Sequence, residues 1–487
     1  MKTPLIPLFI FLVLLMVQCQ PKEKFSPLSV DQLASAYESS KEGAVAERRF
    51  KYSDVIALVK GRNKGVFEVE AIGKSVEGRD IYQMTWGNGP TKVMLWSQMH
   101  GNESTATMAL FDLFNFIEGS NDGYDELREF LKNELTIRFI PMLNPDGMNR
   151  WIRRNALDID LNRDALRLAS PEAVILKNAR DSFSPEFGFN LHDQSTFYTV
   201  GDTEKPATIS VLAPAYNYET EVNEVRQRAM QVIVGMNEML QQVKPGHVGK
   251  YDDAFEPRAF GDNIQKWGTS TILIESGGYP NDPEKQEIRK LNFMAMLHSF
   301  QLIANGSYTK YKLEDYYGIP DNSFKLMDVI IRNLNLTKGV YQYRADIGIR
   351  KKETDLAGDY FATGSIDDMG DLSIFHGYQE IDAFEMEIVQ GEIYDQEFDS
   401  TEDLDQEEAF ELLRNGYLAI KVKEGKALHR LPLLVLKNQN RIPNMVSVGN
   451  VPNFFLAKNG NLKYALVNGY LIDLDKPEKV AFKQRLM

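Results

Sequence analysis

From about residue 50 to about residue 305 the chain alternates short apolar runs with longer amphipathic stretches, a pattern that predicts an α/β domain. Four runs stand out as strands, at 92–97, 135–142, 187–191 and 271–274, and each gives way to a polar cluster. Helical periodicity fills the intervals, most clearly at 104–118 and 222–242, and 283–304 reads as a closing amphipathic helix. Ahead of this block, residues 19–49 are first polar and then Ala-rich, as a tether running into a helix would be. After Asn305-Gly306-Ser307 the runs become shorter and turn residues more frequent, so 310–487 is expected to form a β-rich accessory region of one or two units. The acidic stretch 395–408 lacks the regular spacing of a calcium loop; it is expected to be a solvated loop that Ser400 and Thr401 cap into a helix.

In open α/β sheets, ligands gather beyond the carboxyl ends of the strands. Each of the four predicted strands delivers candidate chemistry there: His100 with Glu103, then Asn144-Pro145-Asp146-Gly147, then His192, then Glu275. Two histidines and a glutamate are the ligand set of a catalytic zinc site whose fourth position stays open, so one zinc ion per chain is expected on His100, Glu103 and His192. Hydrolysis of an amide also needs a base for the attacking water and positive charge for the oxyanion. Glu275, at the end of an apolar strand, is placed to be that base. Arg153, Arg154 and Arg163 supply guanidinium groups suited either to an oxyanion or to a two-pronged grip on a substrate carboxylate.

Composition narrows the picture further. The 487 residues allow two or three domains, and 43% hydrophobic with 25% charged residues is the balance of a folded, water-facing protein. A net charge of −14 disfavours nucleic acid as a partner. At the N-terminus, Lys2 precedes an apolar run from Leu5 to Val17, too short for a membrane span of ~20 residues and the right length for a secretory signal covering residues 1–18. Cys19, the single cysteine, follows at once, which forbids an intrachain disulfide and resembles the lipidated cysteine of bacterial lipoproteins, although Gln18 stands where a small residue is usual. An exported cell-envelope lipoprotein, anchored through lipid on Cys19, is the expectation.

Taken in order, Gly73-Lys74-Ser75, Glu77-Gly78-Arg79, His100-Gly101-Asn102-Glu103, Asn144-Pro145-Asp146-Gly147, Arg153-Arg154-Asn155, Asp160-Leu161-Asn162-Arg163, Leu191-His192 and Ile274-Glu275 resemble the zinc carboxypeptidase (carboxypeptidase A-like) family over about residues 50–305. The resemblance implies an α/β/α sandwich around a mixed, mostly parallel eight-stranded sheet. It implies zinc on His100, Glu103 and His192, with Glu275 as general base and Arg153 polarising the scissile carbonyl. By the same likeness Asn162 and Arg163 bind the substrate's terminal carboxylate and Asp160 hydrogen-bonds a ligating histidine. The family's mobile tyrosine has no clean counterpart; Tyr251 is the candidate. In the same segment Phe260 would favour an apolar substrate side chain and Arg258 an acidic one.

The function expected from these residues is a zinc metallocarboxypeptidase that hydrolyses the C-terminal bond of exported or envelope peptides bearing a free carboxylate. Two alternatives stay open: a zinc amidase of the aspartoacylase type, which shares the ligands and the glutamate, and a non-catalytic surface-binding lipoprotein.

Overall fold

In strand Thr91–Trp96, Val93 and Leu95 pack on one face while Met94 and Trp96 pack on the other, and all four are fully buried. Side chains alternate along a strand, so a strand buried on both faces must be the middle of three layers. A computed structural model describes residues 25–487 apart from 63, 64, 357, 438, 444 and 478–481; the expected signal segment and Cys19 lie outside the described residues.

The central sheet has eight strands: β1 (Glu68–Lys74), β2 (Asp80–Gly87), β3 (Thr91–Trp96), β4 (Leu135–Ile140), β5 (Phe187–Asp193), β6 (Ile209–Leu212), β7 (Val248–Lys250) and β8 (Ser270–Ser276). They lie in the order β1-β2-β4-β3-β5-β8-β6-β7. The inner four run parallel, while β1, β2 and β6 make antiparallel pairings at the flanks. Helices Val30–Ser40, Thr105–Glu118, Asp125–Glu134, Glu224–Val243 and Gln286–Ala304 cover one face. Helices Pro171–Phe183 and Phe260–Lys266 cover the other. The α/β/α architecture is thus the expected one. The predicted strands at 187–191 and 271–274 extend to Asp193 and Ser276, so His192 and Glu275 belong to the ladder itself.

A fully buried ion pair fastens the helical face. Arg289 donates from Nε to Asp112 Oδ2 at 2.7 Å and from Nη2 to Oδ1 at 2.5 Å, joining helices Gln286–Ala304 and Thr105–Glu118. The same guanidinium donates to the carbonyls of Val45 and Glu42, which locks the N-terminal segment onto the sandwich. Arg289→Met is therefore expected to destabilise the domain by about 3–5 kcal/mol, because Asp112 stays buried without its counter-charge. A lower urea midpoint at unchanged slope would register this, and an unmoved midpoint would contradict it.

Beyond Ala304 the chain is β-rich. Leu326–Lys338, Tyr341–Leu356, Asp359–Gly370 and His376–Asp382 form one sheet, which packs against a second made of Glu387–Val389, Phe454–Lys458, Asn461–Val467 and Tyr470–Asp473. The second sheet's other face meets helix Gln406–Arg414 and the strands Tyr417–Val422 and Leu434–Leu436. The acidic stretch differs from its expectation. Its first part is strand Glu392–Phe398, Ser400 caps only a short 3-10 turn, and Asp405 caps the helix by accepting from the amides of Glu407 and Glu408.

This region is sewn to the sandwich. Asn322 and Ser323 pair antiparallel with Val200 and Thr199, Arg48 and Arg49 form ion pairs with Glu353 and Asp355, and Tyr360 donates to Glu284 at 3.0 Å.

Candidate active site

Parallel pairing of β5 with β8 sets His192 beside Glu275. His100 and Glu103 arrive from the loop that leaves β3, where Gln98 holds a left-handed backbone (φ 46°) although it is not glycine. Such a conformation costs energy and needs surrounding contacts to persist. Here Gln98 is fully buried, its carbonyl accepts from Asn144 N, and its side chain donates to the Gly101 carbonyl. Gly101 in turn lies so close to Gly147 that an added Cβ would sit 2.0 Å from that residue's carbonyl carbon. Asn144 caps the short helix Pro145–Arg150 by accepting from Gly147 N, and buried Asp146 accepts from Ser75 Oγ, Glu77 N and Arg79 Nη1. The Ser75 to Arg79 and Asn144 to Gly147 motifs thus form the floor that fixes the turn carrying His100.

The Nδ1 atoms of His100 and His192 stand 3.2 Å apart. Glu103 places Oε1 2.8 Å from His100 Nδ1 and Oε2 2.7 Å from His192 Nδ1. These ligand atoms all lie within 4.8 Å of one another, on three buried residues, and could hold a metal ion. The donor chemistry fits zinc: two imidazole nitrogens and a carboxylate oxygen. Asp160 Oδ1 lies 3.0 Å from His100 Nε2, a partner that places the proton there and turns the Nδ1 lone pair toward the centre.

The electrostatics match that crowding. Burial would push the Glu103 carboxyl up, but His100 and His192 together hold it below the usual carboxylate range. Burial works against protonation of His100 too, yet Glu103 and Asp160 raise its pKa. For His192 burial prevails and lowers it. Glu275 is the opposite case to Glu103: burial first, then the charges of Glu103 and Asp193, push its carboxyl well above the ordinary range, against the pull of Arg153 and Lys285.

Arg153 donates from Nε to Asp160 Oδ2 at 3.0 Å and from Nη1 to Glu103 Oε1 at 3.3 Å, while its side chain keeps 44% exposure, so the guanidinium borders the centre and still meets solvent. Asn162 donates its backbone N–H to Asp160 Oδ1, and its side-chain oxygen accepts from Phe260 N. Arg163 donates to the Asn162 carbonyl and pairs with Glu256 at 3.3 Å. Burial, then the charge of Glu275, raises the Tyr251 hydroxyl pKa, with smaller contributions from Tyr198 and Glu103.

Two expectations about the specificity segment change. Phe260 is fully buried in the core against Trp267, where it begins helix Phe260–Lys266, so it does not line a substrate pocket. Arg258 is already paired, donating from Nε and Nη2 to the two oxygens of Glu256 at 3.0 and 2.9 Å. An acidic substrate side chain would have to displace that carboxylate.

Sequence reasoning missed Lys285. Its Nζ donates to Asp193 Oδ2 and to the Ser276 carbonyl, both at 3.0 Å, tying together the ends of β5 and β8 just past His192 and Glu275. Thr105 also donates to Asp193 Oδ2, at 2.6 Å. The acidic residue directly after His192 was the available signal for this network, and nothing local to Lys285 announces its part.

Residues 52–227 match the family model for zinc carboxypeptidase. An uncharacterised protein of Zymomonas mobilis is 28% identical over 146 residues, 29% of this chain and 37% of that protein. The human carboxypeptidase N catalytic chain is 28% identical over 142 residues, 25% of this chain and 31% of its own length. The chain thus spans about a third of the curated relatives it matches. The crystal structure of a metallo-carboxypeptidase from Burkholderia cenocepacia superposes with a TM-score of 0.43 at 19% identity, covering 53% of this chain and 70% of that one. The family match contains His100, Glu103, Arg153, Asp160, Asn162, Arg163 and His192; Tyr251, Arg258 and Glu275 lie beyond its end, and Glu275 reaches the cluster through the pairing of β5 with β8.

Proposed function

We propose that this chain, whose residues 52–227 match the zinc carboxypeptidase family model, is a metallocarboxypeptidase that releases the C-terminal residue of peptides. The observation that carries the reading is the His100, Glu103, His192 cluster with Glu275 paired beside His192 in the adjacent strand. Those three residues would hold one zinc ion per chain, which when bound would supply Lewis acidity and lower the pKa of a water toward 7.

The chain's own groups do the rest. Glu275 takes the proton of the attacking water and passes it to the departing amine, a task suited to a buried carboxylate of raised proton affinity. Arg153, fixed by Asp160 and Glu103 yet open to solvent, faces the scissile carbonyl and stabilises the charge that grows on its oxygen. Asn162 and Arg163 receive the terminal carboxylate, with Arg163 oriented by Glu256. Tyr251, whose hydroxyl is influenced by Glu275, is the candidate to contact the bound residue. Substrates are peptides outside the cytoplasm, reached by an exported lipoprotein anchored through Cys19; that part of the proposal rests on the N-terminal sequence.

A defined peptide mixture incubated with the zinc-loaded protein and analysed by mass spectrometry tests the reading. Loss of one C-terminal residue at a time supports it. Release of an acyl group instead indicates the amidase alternative, and unchanged peptides indicate a binding protein.

A further inference from the structure

A row of aromatic rings runs from Tyr251 to the accessory region. Tyr251, whose hydroxyl feels Glu275 and Glu103, meets the ring of Tyr198 edge-on with centroids 6.3 Å apart. Tyr198 meets Phe324 at 5.3 Å, and Phe324 meets Phe197 at 6.1 Å. Arg350 lies against the last two rings, 4.5 Å from Phe324 and 5.1 Å from Phe197. The row draws on two parts of the chain, because Phe324 and Arg350 follow the sandwich while Phe197 and Tyr198 lie just after β5.

The pairing of Asn322 and Ser323 with Val200 and Thr199 holds the two parts in register, and the Leu326 amide donates to the Phe197 carbonyl at 3.0 Å. Tyr378, on the edge strand His376–Asp382, donates to the Thr196 carbonyl at 2.6 Å. It also fills the space over Gly278, where an added Cβ would sit 2.1 Å from its hydroxyl. The accessory region therefore touches both loops that follow the strands of His192 and Glu275.

We infer that the accessory region completes the substrate cleft, with Phe324 and Tyr198 forming a subsite for an apolar or aromatic side chain upstream of the scissile bond. The inference rests on the carboxypeptidase reading. Two segments adjoin the ligand residues: 160–163, whose Asp160 lies 3.0 Å from His100 Nε2 and whose Asn162 accepts from Phe260 N, and 194–200, which follows His192 along the chain, pairs with 322–323 and holds the aromatic row. A peptide whose carboxylate is held by the first segment, and whose last bond lies at the centre, continues toward the second. Phe324 suits a receiving role because it is large, apolar and 47% exposed, yet braced by Tyr198, Phe197 and Arg350. Rings held in this way accept a further ring edge-on or offset without having to be ordered first.

The test compares three substrates ending in the same residue: an acylated dipeptide, a pentapeptide with Phe at its upstream positions and one with Gly there. Wild type is expected to prefer the Phe peptide. Phe324→Ala should erase that preference by raising KM about tenfold for the Phe peptide while leaving the other two within about twofold. Phe324→Tyr should retain the preference, which separates loss of the ring from damage to the fold. Equal losses on all three substrates, or no preference in wild type, would overturn the inference. If wild type releases no C-terminal residue from any of them, the carboxypeptidase reading fails and the subsite falls with it.

Discussion

Glu275→Gln is expected to bind zinc as the wild type does and to lose about 10²–10⁴-fold in kcat on a peptide substrate. The substitution preserves shape and volume in a buried position but removes the oxygen that can take up a proton. Because Glu275 is not one of the three clustered metal-ligand candidates, metal content should be unchanged, which separates this effect from simple loss of the ion. The pH profile gives a second readout. Burial and the neighbouring Glu103 and Asp193 raise the carboxyl pKa, and the group accepts a proton only when ionised. Wild-type kcat/KM should therefore fall as pH drops through that pKa, and the acidic limb should vanish in the variant. A variant that keeps full activity would remove Glu275 from the mechanism.

Chelation of the metal, or His192→Ala, should abolish hydrolysis, and one equivalent of zinc per chain should restore it to the chelated wild type only. The two Nδ1 atoms and the Glu103 carboxylate converge in a buried space where a cation compensates their mutual crowding. Binding to the folded form alone also raises stability, so zinc should lift the thermal midpoint of the chelated protein. Asp160→Asn is the finer probe. It keeps all three ligands but weakens the partner that fixes the proton on His100 Nε2, and a loss of about 10–100-fold in zinc affinity is expected. Competition with a chromogenic chelator measures that loss; unchanged affinity, or a midpoint indifferent to zinc, would argue against the assigned ligand set.

Much of this site was legible because its chemistry sits in short motifs. His100 and Glu103 lie three residues apart in one turn after a strand, and His192 and Glu275 each close an unmistakable apolar run. The inner strands were visible for the same reason, since burial on both faces leaves an uninterrupted apolar stretch. The flanking strands were not. β1 is exposed or half-exposed throughout and β7 is only three residues long, so neither carries a pattern that stands out from a loop. Local sequence was equally silent about register, which is a long-range property, and the pairing of His192 with Glu275 became evident only in the ladder. Phe260 misled because an aromatic side chain beside a candidate pocket reads as lining until tertiary packing draws it into the core. Glu256, two residues before Arg258, carried the hint that this arginine was already engaged.

The neighbouring placement of His192 and Glu275 also bears on how such an enzyme can change over time. Adjacent strands are about 4.8 Å apart wherever they hydrogen-bond, so under the proposed mechanism the separation of ligand and base is inherited from the sheet. Arg153, Asn162, Arg163 and Tyr251 lie outside the strands of that sheet. Under that mechanism, mutational drift in those segments would alter substrate choice while backbone pairing keeps His192 and Glu275 together.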